Sequence, residues 1–379
     1  SSDTTLRRWN LKKETCERVF VGHEGSILTM DVNFENFLAI TGSVDNSLAI
    51  WDVKNCEWLG GLLGHEGAVC DVKVDWGPGR CITASFDHSL RLWDNLYAAE
   101  TEKAILEGNC TSTLKAHKGP VTCVCADWAG GRAASGGEDI CTKIWDLEAG
   151  KDVLTLRGHT APIWTVSLDP TGREALTGSM DRHLMHWDLR SASCIRALMR
   201  HEHYITCMEV NWEQQEAVTG SCDRSLVLWD LAAGEVAIKF KEHTGSVWCV
   251  DVDWVGRHMV SGAGPGDNTI RLWDISDGFC ELELNGHDAS VWALAVDWEA
   301  AHKAQREMTQ ALSTNFDDQP EPHAGDAGGE AQPELMDAPT LPALTDAEGG
   351  GQDESRVDEI QPASPPEAEG NAPGRRNPY

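Results

Sequence analysis

Histidine, hydroxyl and carboxylate residues recur along this chain at fixed separations, and together they are the residue types of nucleophilic catalysis. A hydroxyl follows a histidine by 18 residues and an aspartate follows it by 22 in five sets: His23, Thr41, Asp45; His65, Thr83, Asp87; His117, Ser135, Asp139; His159, Thr177, Asp181; and His201, Thr219, Asp223. A hydroxyl activated by a histidine that a carboxylate orients would attack an acyl carbon. An enzyme needs one such set, and a set repeated in phase is a part of the architecture. No catalytic residue is therefore assigned. Cys123-Val124-Cys125 and His201-Glu202-His203 hold metal-ligand residue types, but neither has a second, spaced pair. They read as core cysteines and a loop histidine, so no metal and no cofactor are expected. Cys16, Cys56, Cys194 and Cys280 follow a Trp by five or seven residues and read as parts of the repeat. The chain has neither a glycine-rich phosphate loop ending in Lys-Ser or Lys-Thr nor an HExxH motif.

The elements that position these residues follow from the period. His23, His65, His117, His159, His201, His243 and His287 are separated by 42, 52, 42, 42, 42 and 44 residues. Trp51, Trp93, Trp145, Trp187 and Trp229 follow their histidines by 28 residues. Trp273 follows by 30, after an insertion at Gly264-Pro265-Gly266. Leu96 to Asn109 hold the ten residues that lengthen the second unit. Eleven residues after each histidine stands Phe34, Trp76, Trp128, Pro170, Trp212, Trp254 or Trp298. Within a unit, stretches such as Ile27-Leu28-Thr29-Met30-Asp31-Val32 alternate apolar and polar residues with period two and predict four short strands separated by turns. A small sheet apolar on both faces must be covered by its neighbours, so the units stack side by side.

The run "GHEGSILTMDVNFENFLAITGSVDNSLAIWD" at Gly22 to Asp52, with fuller copies after it, resembles the WD-repeat beta-propeller family. The resemblance implies an all-β fold: a seven-bladed propeller of four-stranded antiparallel blades over residues 1–318. Six blades would be complete, and the seventh would be shared between residues 1–22 and 287–318. Asp3 and Trp9 match Asp45 and Trp51, and "ALSTNFDD" at Ala311 to Asp318 matches "AITGSVDN". Sharing would remove open sheet edges; loss of an upstream half-blade from a chain that starts with Ser is the alternative. The resemblance also implies that each histidine, hydroxyl and aspartate joins its Trp (Trp51, Trp93, Trp145, Trp187, Trp229) in a structural hydrogen-bonded tetrad.

Partners of this family dock on the face that carries the loops before the innermost strands. Carried over, the expected docking residues are Trp164, Tyr204, Trp248 and Trp292 in four consecutive units. Phe86, Met180 and Phe316 precede the turn aspartates, and Glu202 and Asp288 stand among the acidic residues beside them. An aromatic cluster rimmed by carboxylates suits a peptide with an apolar anchor and basic neighbours; the bland reading is that the tryptophans fill the inner wall of the ring.

Composition narrows the partners. With 61 acidic against 31 basic residues the formal net charge is −30, a field that repels a phosphate backbone, so nucleic acid is not an expected ligand. No apolar run is long enough to span a membrane, and thirteen cysteines in a chain with ample core point to reduced thiols in the cytoplasm or nucleus. After residue 318 acidic residues far outnumber Arg356, Arg375 and Arg376, ten of the fifteen prolines occur, and no Trp is found, so residues 319–379 are expected to be a disordered acidic tail. The functional expectation is a non-catalytic protein–protein interaction scaffold without a small-molecule substrate. The alternative is the propeller part of a larger multidomain enzyme or ATPase.

Overall fold

The structure is a computed structural model that describes residues 1–96, 109–300 and 302. Six four-stranded antiparallel sheets, each in sequence order, form the blades of an all-β propeller. Blade 1 runs Ile27–Asn33, Leu38–Ser43, Leu48–Asp52 and Glu57–Leu62, and blade 4 runs Ile163–Leu168, Glu174–Ser179, His183–Asp188 and Ser193–Met199. Blades 2, 3, 5 and 6 repeat the plan from Val69, Val121, Ile205 and Val247. A two-stranded sheet, Leu6–Asn10 with Thr15–Phe20, precedes them. Among the described residues no helix is long and apolar enough to cross a membrane.

Burial follows strand order within a blade. The second strands, such as Leu38–Ser43 and Glu174–Ser179, are buried along nearly their whole length, whereas the fourth strand Ser193–Met199 is largely exposed. A strand covered on both faces reads as a run of small and apolar residues, and "LAITGS", "EALTGS" and "EAVTGS" are such runs. The glycine in them lets neighbouring blades meet closely: a Cβ on Gly42 would stand 2.7 Å from Val69 of the next blade. The core lies in these contacts between blades, where Ile40, Leu48 and Leu62 of blade 1 pack on Val72, Cys81 and Trp93 of blade 2.

The tryptophan eleven residues after the histidine ties blades together. Trp76 Nε1 donates to Asp31 of the preceding blade at 2.9 Å, Trp212 to Ser167 at 3.1 Å and Trp298 to Asp251 at 3.1 Å. The acceptor stands eight residues after its own histidine in each case, a pairing that the sequence pattern contains but that only the stacking of blades reveals.

The expectation of seven blades is corrected to six four-stranded blades. Val291 to Asp297 lie beside the inner strand of blade 6, where Val296 N donates to Asp251 at 2.8 Å, but they form no ladder of their own. Leu6–Asn10 and Thr15–Phe20 form only a pair. Ala311 to Asp318, and the tail after them, lie outside the described residues. Ser1 and Ser2 nevertheless connect the two arms of the chain: Ile27 N donates to Ser1 O at 3.0 Å and Ser2 N to Ser290 O at 2.9 Å.

Candidate functional site

The predicted tetrads are assembled in blades 1 to 5, and a sixth joins them. His Nδ1 lies 2.7–3.0 Å from the turn aspartate in His23–Asp45, His65–Asp87, His117–Asp139, His159–Asp181 and His201–Asp223. His Nε2 lies 2.7–2.8 Å from the hydroxyl of Thr41, Thr83, Ser135, Thr177 and Thr219. The same oxygen accepts from the indole N–H of Trp51, Trp93, Trp145, Trp187 and Trp229 at 2.7–2.9 Å. Blade 6 repeats this with His243, Asp267, Ser261 and Trp273. Sequence spacing missed that set because the Gly264-Pro265-Gly266 insertion moves the aspartate to 24 residues.

Donor logic fixes the protons. The indole can only donate, so the hydroxyl accepts from Trp and donates to His Nε2, and the neutral imidazole donates from Nδ1 to the carboxylate. The hydroxyls of Thr41, Thr83, Ser135, Thr177, Thr219 and Ser261 are fully buried, so no substrate reaches these oxygens. Burial by itself would raise the aspartate pKa values. Hydrogen bonds from histidine, from the turn and from the backbone N–H after the histidine outweigh it and hold Asp45, Asp87, Asp139, Asp181, Asp223 and Asp267 below the usual carboxylate range.

The candidate docking residues owe their position to a bulge. Each inner strand loses register at one residue near its start, between Ile163 and Thr165 in blade 4 and between Val247 and Cys249 in blade 6. The extra residues there are Trp164 and Trp248. A bulge re-aims the side chain it carries, which explains how non-adjacent blades bring these rings together. Trp164 and Trp248 have ring centroids 6.0 Å apart, and Trp248 and Trp292 4.3 Å apart. Any side chain at Gly264 would collide with the Trp248 indole, so the insertion in blade 6 also makes room for this ring. Trp292 Nε1 donates to Ser2 Oγ at 2.6 Å, whereas Trp164 Nε1 and Trp248 Nε1 are shielded from water and have no acceptor.

The remaining candidates are distributed differently. Tyr204 packs its ring on His203 at 4.2 Å. Phe86 and Met180 are half-buried, Glu202 and Asp288 are exposed, and Phe316 lies outside the described residues. Further down the inner wall, Glu209 is reached by solvent but crowded by protein, and that desolvation pushes its carboxyl up to about 7. Burial pushes the Cys125 thiol up to about 12 and that of Cys123 well above its usual value, so neither is a thiolate ready for a metal. His201 is committed to its tetrad. Among the described residues, His258, Asp274 and Glu281 bring three ligand-type atoms within 4.8 Å of one another, a group that sequence spacing does not signal.

Comparison with known proteins fits this geometry. The family described as "WD domain, G-beta repeat" matches residues 14–52, 56–94, 108–146, 150–188, 192–230 and 234–274. Each match runs from the outer strand of one sector to the Trp-Asp or equivalent end of the next, so it brackets one tetrad. No curated protein matches the chain. With six matched repeats, six assembled tetrads and six four-stranded blades, the chain belongs to the WD-repeat family, whose propellers generally mediate protein–protein interaction.

Proposed function

We propose that this propeller is a non-catalytic scaffold that captures a segment of a partner protein on the face bearing Trp164, Trp248 and Trp292. The observation that carries the reading is the pair of indole N–H groups, Trp164 Nε1 and Trp248 Nε1, shielded from water without an acceptor. An unsatisfied buried donor costs about 1–3 kcal/mol. The three rings are half-buried, so an apolar side chain of a bound peptide would cover them, and a shift of either indole on binding would bring its N–H to a peptide carbonyl. Exposed Glu202 and Asp288 favour basic residues beside that anchor. The tetrads take no chemical part, because their hydroxyls are enclosed. The cysteine usage is consistent with an intracellular setting.

The test is quantitative affinity capture of partners by wild type, Trp164→Ala and Trp248→Ala, with Lys151→Ala on the outer strand of blade 3 as control. The reading expects one set of partners to be lost from both Trp variants and kept by the control. Identical partner sets for all four proteins would assign the rings to packing of the inner wall.

A further inference from the structure

Blade 6 brings three metal-ligand side chains together outside its tetrad. His258 opens the second strand, His258–Ala263, and stands directly across from Asp274, which ends the third strand, Ile270–Asp274. Glu281 comes from the fourth strand, Cys280–Leu284. One ligand atom of each lies within 4.8 Å of the other two, and His258 Nε2 is 3.7 Å from Glu281 Oε2. Two ligand atoms held at about 2.1 Å by one tetrahedral ion stand about 3.4 Å apart. The histidine–glutamate gap is therefore close to ligating distance before any ion draws the groups in. The residues are far apart in sequence and meet only through strand pairing, which is why spacing gives no metal motif here.

No arginine or lysine competes for the set among the described residues. Arg257, beside His258, pairs with Glu216 of blade 5, and Arg271 pairs with Glu242 and Glu283. The His258 imidazole makes no hydrogen bond among the described residues, and its contact with Glu281 is longer than one. Ser276 N donates to Asp274 Oδ1 at 2.6 Å and so orients that carboxylate. Two neighbouring carboxylates repel each other, and an imidazole nitrogen stands between them.

The other blades serve as internal controls. Glu281 is the extra residue of a bulge, where the register shifts between Leu272 and Trp273, and a bulge re-aims the side chain it carries. The same bulge carries Leu59, Thr111, Val153, Ile195 and Ala237 in blades 1 to 5. The repeat supplies the aspartate in every blade, but only blade 6 starts its second strand with a histidine and turns a carboxylate toward it. Neither addition is demanded by the fold, so both belong to a site placed on it.

We infer that His258, Asp274 and Glu281 bind a zinc ion on blade 6. One imidazole nitrogen and two carboxylate oxygens are a zinc ligand set, whereas Mg²⁺ and Ca²⁺ take oxygen ligands. Two carboxylates neutralise the ion's charge. The ion ties the second, third and fourth strands of the blade at one end, and three protein ligands leave the fourth tetrahedral position to water or to a side chain of a partner. The inference does not depend on the tryptophan cluster or on what binds there.

The test counts Zn²⁺ bound by the full reduced chain in equilibrium dialysis, for wild type, His258→Gln, Glu281→Gln and a control, Glu235→Gln, on the exposed fourth strand of blade 5. The thirteen cysteines offer zinc other ligands in all four proteins, so the readout is the difference between them. His258→Gln and Glu281→Gln should each bind one equivalent fewer than wild type, and Glu235→Gln should match wild type. Zn²⁺ should also raise the melting temperature of wild type more than that of either site variant, because a ligand of the folded state stabilises it by mass action. An excess of Mg²⁺ or Ca²⁺ should leave the extra equivalent in place. Equal counts in all four proteins, an equal zinc-dependent rise in melting temperature, or displacement of the extra equivalent by Mg²⁺ or Ca²⁺ would overturn the inference.

Discussion

Blade 4 and the sector where the two arms of the chain meet carry the same histidine, aspartate and tryptophan, and among the described residues only blade 4 adds a hydroxyl between them; Ser313, which matches Thr41, lies outside those residues. In blade 4 the rings of His159 and Trp187 stand 6.2 Å apart with Thr177 bonded to both. In the other sector His287 lies 3.0 Å from Asp3 and its ring stands 6.1 Å from Trp9. Three of the four parts are thus placed alike. Among the described residues no hydroxyl bridges them, and Trp9 Nε1 is buried without an acceptor. The histidine–aspartate contact and the tryptophan packing are thus in place here with no hydroxyl bonded to them among the described residues. What the hydroxyl adds is the link between the turn of a blade and its third strand. Burial also pushes the His287 pKa down, and its hydrogen bond to Asp3 only partly opposes that shift.

The largest expected effect comes from breaking the incomplete sector outright. Deleting residues 1–20 removes Asp3 from His287, Ser1 from Ile27 and Trp9 from the packing of blade 6. The exposed inner strand of blade 1 should then drive aggregation, visible by size-exclusion chromatography. A deletion that stays monomeric and equally stable would show that the arms are not coupled.

Acid should be the next strongest perturbation, because it acts on all six complete tetrads at once. Their aspartates have depressed pKa values in the folded chain, so the stability they add is present above the unfolded carboxylate pKa and is lost as pH falls below about 4. Glu209 has the opposite sign. Its folded pKa of about 7 lies above the unfolded value, so the folded state binds more protons and loses stability as pH rises from about 4 to about 7. Glu209→Gln should flatten that limb of a melting-temperature profile and leave the acid limb in place.

Single substitutions sharpen the comparison further. Asp181→Ala strands His159 and the turn, and should cost about 1–3 kcal/mol in denaturant titration; an unchanged stability would deny the tetrad its structural role. Trp187→Phe loses a hydrogen bond as well as volume, whereas Trp9→Phe loses volume alone. The cost of the first should exceed that of the second by about 1 kcal/mol, and equal costs would mean that the hydroxyl link contributes nothing.

Much of this was legible in the sequence for a physical reason. A hydrogen-bonded set that must meet in every blade forces fixed offsets between His, hydroxyl, Asp and Trp, and those offsets survive in one dimension. Blade 6 escaped because two inserted residues break the offset without disturbing the contact. The link from Trp76 to Asp31 escaped because it joins different repeats and depends on how blades stack. The tryptophan cluster was only half legible: the family resemblance implied that Trp164, Trp248 and Trp292 share one end of the ring, but the bulges that turn the first two toward each other leave no trace in the hydrophobic pattern. Tyr204, which stands three residues after its histidine where the tryptophans stand five after theirs, packs on His203.

The account separates tetrads that hold the fold from tryptophans that hold a partner, and one measurement addresses both sides. The affinity of an identified partner is determined for wild type, Trp248→Ala and Asp181→Ala at a temperature where all three remain folded. The account predicts that Trp248→Ala loses about 2 kcal/mol of binding, roughly thirtyfold, with a melting temperature near wild type. Asp181→Ala should bind as wild type does while melting earlier. Unchanged affinity in Trp248→Ala, or a binding defect in folded Asp181→Ala that matches it, would contradict the division of roles.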